Sequence, residues 1–157
     1  MNDMNDRDLS QAFRLAVILG AAVIGSLFIY VIVVEYVKAN HQSLVGFVSL
    51  QNIKSLRYIF YALSIVHVFI LRIARGLLFK KLPKDDRQKL ISRLRQASII
   101  SVVLSEGPAL YGLVFFFLSG ISRDFYLLLL VSGFLLFMYF PRIKNWQYWL
   151  QRAEIKQ

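Results

Sequence analysis

Four long apolar runs constrain the fold of this chain more than any other feature of its sequence. They extend over about residues 15–36, 58–79, 97–118 and 125–140. A helix needs roughly 20 apolar residues to cross the hydrocarbon core of a bilayer. Lipid cannot satisfy the backbone of an open sheet edge, and four short strands cannot close a barrel. The sequence therefore predicts an all-α, polytopic membrane protein, folded as one domain with a four-helix transmembrane bundle.

Lysine and arginine residues gather on one set of connections between these runs. Of the 19 basic residues, 15 lie in the N-terminal segment, in residues 72–95 or in the C-terminal tail. The two opposite connections hold the other four. Because basic connections stay in the cytoplasm, we expect both termini and the loop 80–96 to be cytoplasmic. The expected location is the bacterial inner membrane, with Arg72 and Arg75 snorkelling to its headgroups.

Basic and aromatic side chains beside the apolar runs predict contact with anionic lipid headgroups. The stretch 87–96 has the pattern of an amphipathic basic helix that continues into the third span, and the tail 141–157 that of an interfacial segment. The predicted headgroup residues are Arg87, Lys89, Arg93, Arg95, Trp146 and Trp149. Because the net charge of +10 comes from such flanking positions, we expect no nucleic-acid partner. Docking of an acidic cytoplasmic protein on residues 87–95 is the alternative.

Glu106 is an acidic residue near the centre of the third apolar run. A charge at that depth costs about 2.5–3.5 kcal/mol on insertion scales, so the carboxyl group is expected to be kept protonated or buried in protein. A glutamate held in that way can take up and release a proton. It can also serve only to fasten helices together through a hydrogen bond. Both interpretations stay open from the sequence.

The residues around Glu106 predict close helix packing and a kink. Small residues at helical spacing let a neighbouring helix approach closely. Pro108 removes one backbone hydrogen bond, which frees the carbonyl group near Leu104 for water or an ion. The predicted packing residues are Ser101, Ser105, Pro108, Ala109 and Gly112.

The segment from Glu106 to Val114, EGPALYGLV, resembles the ion-binding helix of the c subunits, or proteolipids, of rotary ATP synthases. The similarity extends over residues 97–118. In that family a mid-membrane glutamate is followed by Tyr-Gly five and six residues later, as Tyr111 and Gly112 follow Glu106. The resemblance implies an ion- or proton-binding site at Glu106 and Tyr111. The second run has no glycine repeat, so we do not expect a rotor ring.

His67 lies midway along the second apolar run. It is a candidate proton-relay partner of Glu106. It is also a possible axial ligand for haem, but His41, the other histidine, falls in an outer loop, so a second ligand would have to come from another copy. A satisfied structural histidine is the third interpretation. We predict no cofactor and no metal, and haem at His67 remains an alternative.

As a whole, the chain resembles small uncharacterised four-span proteins of bacterial inner membranes. Its size and the absence of a catalytic motif favour a structural or assembly subunit of a larger membrane complex, or a homo-oligomer. The alternative is a proton- or ion-coupling component, or transport component, that uses Glu106 as its titrating carboxylate. No enzyme activity is predicted. An acidic pair formed on folding, such as Glu35 with Asp124, would favour a lipid-modifying enzyme instead, although we expect Glu35 to pair with Lys38 or to be solvated.

Overall fold

The computed structural model describes residues 2–40, 50–80, 87–143 and 146, with the backbone alone at residues 2–8, 50–51, 78–80 and 87. Five α-helices follow one another along these ranges. They are α1 (Asn2–Asn40), α2 (Leu50–Lys80), α3 (Arg87–Ser105), α4 (Gly107–Ser119) and α5 (Ser122–Tyr139).

Four stretches of the described residues are helical, long and apolar enough to cross a membrane. They are Leu9–Asn40, Asn52–Leu77, Gln88–Ser119 and Ser122–Tyr139. The third consists of α3 and α4, so the basic stretch from residue 87 does continue into the third span. For the described residues, the prediction of an all-α fold with four helices long and apolar enough to span a membrane is confirmed. Residues 41–49, residues 81–86 of the predicted cytoplasmic loop, residues 144–145 and the tail from residue 147 lie outside the described residues.

The first and third spans run in the same direction and α5 runs in the opposite one, since three groups of buried apolar side chains join them at three heights. One group joins the start of α1 to the start of α3 and to Trp146, which lies seven residues beyond the end of α5. A second lies near mid-height, and a third joins the end of α1 to the end of α4 and the start of α5. In this order they are Ala12, Ala16, Leu90, Ile91, Leu94 and Trp146; Val23, Val102 and Leu136; and Val34, Phe116 and Phe125.

The third span lies between the other three spans of the chain. Both α1 and α2 pack against α3 and α4, and so does α5. Within its apolar window 44% of the residues are buried, compared with 17% in the first span and 11% in the second. A polar group in the third span therefore has protein on several sides, whereas one in the second span mostly faces lipid.

The hairpin between α4 and α5 turns at a glycine and packs tightly at another. Gly120 adopts a left-handed φ of 72°, and its amide donates to the Phe116 carbonyl at 2.7 Å, which ends α4. At Gly112, an added Cβ would lie 3.0 Å from Leu128 Cβ and 3.2 Å from the backbone of Phe125. The predicted packing residues Ser101, Ser105, Pro108, Ala109 and Gly112 are all buried. Since α5 of the same chain lies against Gly112, the small residues there serve the internal fold.

Candidate functional site: a polar break in the third span

The third span is interrupted at Glu106, where α3 ends and α4 has not yet begun. The Leu104 and Ser105 carbonyl groups lose their helical donors at this point. Pro108 has no amide proton to offer to the Leu104 carbonyl. The amide of Ala109 donates to the Glu106 carbonyl at 3.0 Å, which leaves the Ser105 carbonyl without its usual partner as well. A buried carbonyl without a donor costs about 1–3 kcal/mol, so both need partners from outside the span.

Neighbouring spans provide both donors. His67 Nε2 of α2 lies 2.7 Å from the Leu104 carbonyl oxygen and donates to it, while the Ser132 hydroxyl of α5 donates to the Ser105 carbonyl. Because a carbonyl only accepts, the proton of a neutral His67 ring is on Nε2. Nδ1 is then the acceptor for the Tyr111 hydroxyl at 3.0 Å. The carbonyl expected to bind water or an ion thus has a histidine partner.

Gly107 allows this arrangement by having no side chain. A Cβ at Gly107 would lie 2.4 Å from Cε1 and 2.5 Å from Nε2 of His67. These distances are shorter than a van der Waals contact, so any larger residue would displace the imidazole from the break. The Tyr111 ring meets the imidazole edge-on, with ring centroids 5.5 Å apart. Gly107, Pro108 and Tyr111 of the EGPALYG segment therefore all contribute to the position of the His67 ring.

Glu106 itself faces α1. Its Oε1 accepts a hydrogen bond from the Tyr30 hydroxyl, and Ser26 Oγ lies 2.5 Å from the same oxygen. Among the described residues, no hydrogen bond joins Glu106 to His67. The structure therefore does not form the predicted proton-relay pair, and it brings His67 together with Tyr111 instead.

The Ser26 hydroxyl also lies beside a backbone carbonyl of its own helix. Ser26 Oγ donates to the Val23 carbonyl at 2.8 Å, so three contacts join Val23, Ser26, Glu106 and Tyr30 in a row. These contacts bind the Glu106 side chain to α1.

A second polar cluster lies at the start of α5. The sequence analysis named its central residue, Asp124, only as a possible partner of Glu35. Asp124 is 3% exposed. Its Oδ2 lies 2.8–2.9 Å from the guanidinium of Arg57, and its Oδ1 accepts from the Tyr61 hydroxyl at 2.6 Å. The position of Asp124 in the first turn of α5, where an acid is favoured by the helix dipole, was the available signal. Arg57 and Tyr61 fix this end of α2 to the start of α5.

Glu35 and Asp124, the acidic pair that would favour a lipid-modifying enzyme, have separate partners. Glu35 is bonded to Lys38 at 2.8 Å and accepts from the Tyr126 hydroxyl. Asp124 is bonded to α2, as described above. Within the described residues no hydrogen bond connects the two carboxyl groups, so each serves to hold helices together.

The predicted headgroup residues divide into two sets. Lys89 and Arg93 are exposed and Arg95 is partly exposed along the start of α3. Trp146, in contrast, is 3% exposed and packs edge-on against Phe13 with ring centroids 5.7 Å apart. Trp146 therefore lies inside the protein and not among headgroups as predicted, because the start of α1 extends far enough to cover it. Trp149 and the side chain of Arg87 lie outside the described residues.

In the part of the chain that the structure describes, no three His, Asp or Glu side chains form a group that could hold a metal ion. No protein-family model, no curated protein and no solved structure matches the chain.

Proposed function

We propose that this chain is a structural or assembly subunit of a membrane complex in the bacterial inner membrane, with both termini cytoplasmic. In this proposal the Glu106 side chain holds α1 against the third span through hydrogen bonds. The observation that supports it is the bonding of the break to all three surrounding spans. Glu106 is bonded to α1, the Leu104 carbonyl to α2 and the Ser105 carbonyl to α5.

Such bonding favours a structural role, because the polar side chains that could transfer a proton or bind an ion already have hydrogen-bond partners within the fold. The imidazole of His67 has a partner on each nitrogen, and Glu106 has two hydroxyl neighbours. The outer faces of α1 and α2 remain large and apolar, with Phe28 68% and Phe69 61% exposed. These faces are available to lipid or to other subunits, which is what a subunit of a larger complex requires. The basic bias toward one end of the spans supports the proposed orientation.

The test compares Glu106→Gln with Glu106→Leu in native membranes solubilised with a mild detergent. Glutamine keeps a donor and an acceptor for Ser26 and Tyr30, whereas leucine keeps neither. We expect wild type and Glu106→Gln to migrate alike in a native gel, as an assembly larger than the single chain, and Glu106→Leu to lose it. A chain that migrates as a monomer in all three forms would rule out the proposal.

A proton- or ion-coupling component is the second candidate, and the row of hydroxyl groups beside Glu106 favours it. The carboxyl group is only partly buried, and hydroxyl neighbours such as Ser26 and Tyr30 can pass a proton. Under this candidate, Glu106→Gln would keep the assembly but abolish proton flux in proteoliposomes. Carbodiimide would also label Glu106 in the wild type. Unchanged flux in Glu106→Gln would exclude the candidate and leave the structural role.

A further inference from the structure

A long apolar groove of about 750 Å³ lies between α1 and α5. On α1 it is lined by Ile24, Leu27, Phe28 and Val31, and on α5 by residues between 129 and 140. At 1.5 Å per residue, that part of α5 extends about 16 Å. The hydrocarbon core is about 30 Å thick, so the groove is about as long as one leaflet is deep.

The groove ends at Arg142, and a second arginine, Arg75, lines the cavity that adjoins this end. Arg142 lines its end beside the C-terminus of α5. Arg142 and Arg75 also line a small adjoining cavity of about 50 Å³, together with the hydroxyl-bearing residues Ser98 and Ser101. Phe140 and Arg142 line both spaces, so the groove and the cavity meet there.

Aromatic rings support both guanidinium groups at this end. That of Arg75 lies 4.6 Å from the ring centroid of Tyr139, and that of Arg142 lies 5.6 Å from that of Phe137. The site thus combines an apolar channel of leaflet length, with Arg142 at its end, and an adjoining cavity that Arg75 also lines.

We propose that the groove and the cavity bind one anionic glycerophospholipid of the surrounding bilayer. One acyl chain lies in the groove, and the phosphate group lies between Arg75 and Arg142. Guanidinium groups suit phosphate oxygens because they donate paired, charge-assisted hydrogen bonds. A transmembrane helix of a partner or of a second copy would fill the apolar part but would bring no phosphate to the arginine pair.

Gly133 offers a way to block the groove without disturbing the protein. It lines the groove, and a Cβ added to it would meet nothing within 4 Å. A Gly133→Leu side chain therefore enters the space proposed for the acyl chain. Gly76 is equally open but lies on α2 and lines neither space, so Gly76→Leu is the matched control. For the charge, Arg142→Gln is compared with Arg72→Gln, because Arg72 is exposed and lines neither space.

The measurement is native mass spectrometry of the purified chain after incubation with equal amounts of phosphatidylglycerol and phosphatidylcholine that carry the same acyl chains. We expect the wild type to retain one phosphatidylglycerol in preference to phosphatidylcholine. Arg142→Gln and Gly133→Leu should each lower that retention by about tenfold, the effect of losing a charge-assisted hydrogen bond or a comparable contact. Both control variants should keep the wild-type level.

Several results would overturn the proposal. Equal retention of the two lipids would remove the role of the arginine pair, and an undiminished signal in Gly133→Leu would remove the role of the groove. A shift from dimer to monomer in Gly133→Leu, with lipid retention unchanged, would assign the groove to a second copy. Photoactivatable phosphatidylglycerol provides a check on the wild type that needs no variant to fold. It should label Phe134 in the groove more than Phe69 on α2, and equal labelling would contradict the site.

Discussion

His67 and Pro108 should be energetically coupled at the break. His67 is needed as a donor because Pro108 takes an amide proton away from the Leu104 carbonyl. Replacing Pro108 with alanine restores an amide at that position. The His67→Leu substitution should therefore be costly in the wild type and less costly when it is combined with Pro108→Ala.

The expected cost follows from the two hydrogen bonds that His67 makes. Hydrogen bonds between helices in membrane proteins contribute on average about 0.6 kcal/mol and at most about 1.7 kcal/mol, and a buried carbonyl left without a donor costs about 1–3 kcal/mol. Loss of the Tyr111 bond and of the donor to Leu104 should then lower the free energy of unfolding by about 2–4 kcal/mol. In the Pro108→Ala background the carbonyl has an amide donor, so the part of this cost that comes from the carbonyl, about 1–3 kcal/mol, should disappear.

The free energies can be measured by reversible unfolding in mixed micelles of increasing dodecyl sulfate content, followed by circular dichroism. Tyr111→Phe is the matched variant, because it removes the 3.0 Å bond to Nδ1 and leaves the Leu104 carbonyl with its donor. It should cost less than His67→Leu and should show no coupling to Pro108→Ala. Substitutions without a shared partner add within about 0.5 kcal/mol. Costs of His67→Leu that agree within that margin in the two backgrounds would refute the explanation of the break.

Three further predictions follow from the packing and from the ion pair. Gly107→Ala should destabilise the fold about as much as His67→Leu and should add little to it, because both remove the imidazole from its seat; full additivity in unfolding titrations would contradict this. Gly112→Ala should cost about 1–3 kcal/mol by overpacking against the α5 backbone, while Gly76→Ala, which meets no neighbour, should be neutral or slightly stabilising. Asp124→Asn should cost about 1.5–3 kcal/mol, the value of hydrogen bonds to a charged group, and an unchanged unfolding midpoint would show that the guanidinium is equally well solvated without it.

The spans and the position of the break could be predicted from the sequence because each depends on local residues. Long apolar runs specify helices in lipid, and Pro108 specifies a lost backbone bond wherever it occurs. The partner of the Leu104 carbonyl could not be predicted, because it depends on which span lies beside that carbonyl. The same holds for Asp124, whose partners come from the start of α2.

The predicted pairing of His67 with Glu106 depended on the depth of the two residues in the membrane and not on the direction in which their side chains point. Both residues lie near the middle of their runs, which suggested a contact. On a helix, however, residues four and seven apart share a face, so positions 104, 108 and 111 point to one side and position 106 points away from them. His67 lies on the first side, with Leu104 and Tyr111, and Tyr30 lies on the other, with Glu106.

The break lies in the third span, where neighbouring helices can provide hydrogen-bond partners for its polar groups. A proline and a glutamate in the second span, where 11% of the apolar window is buried, would leave carbonyl groups and an acid facing lipid, at a cost of several kcal/mol for each group. In the central span each of these groups meets a different neighbour, because α1, α2 and α5 approach from different sides. The bonds to the three outer helices are therefore separable: loss of the Glu106 bonds should loosen α1, loss of the His67 bond should loosen α2, and loss of the Ser132 bond should loosen α5. Hydrogen exchange that rises in one outer helix at a time would follow from this arrangement, whereas a uniform rise in all three would mean that the break acts as a single unit.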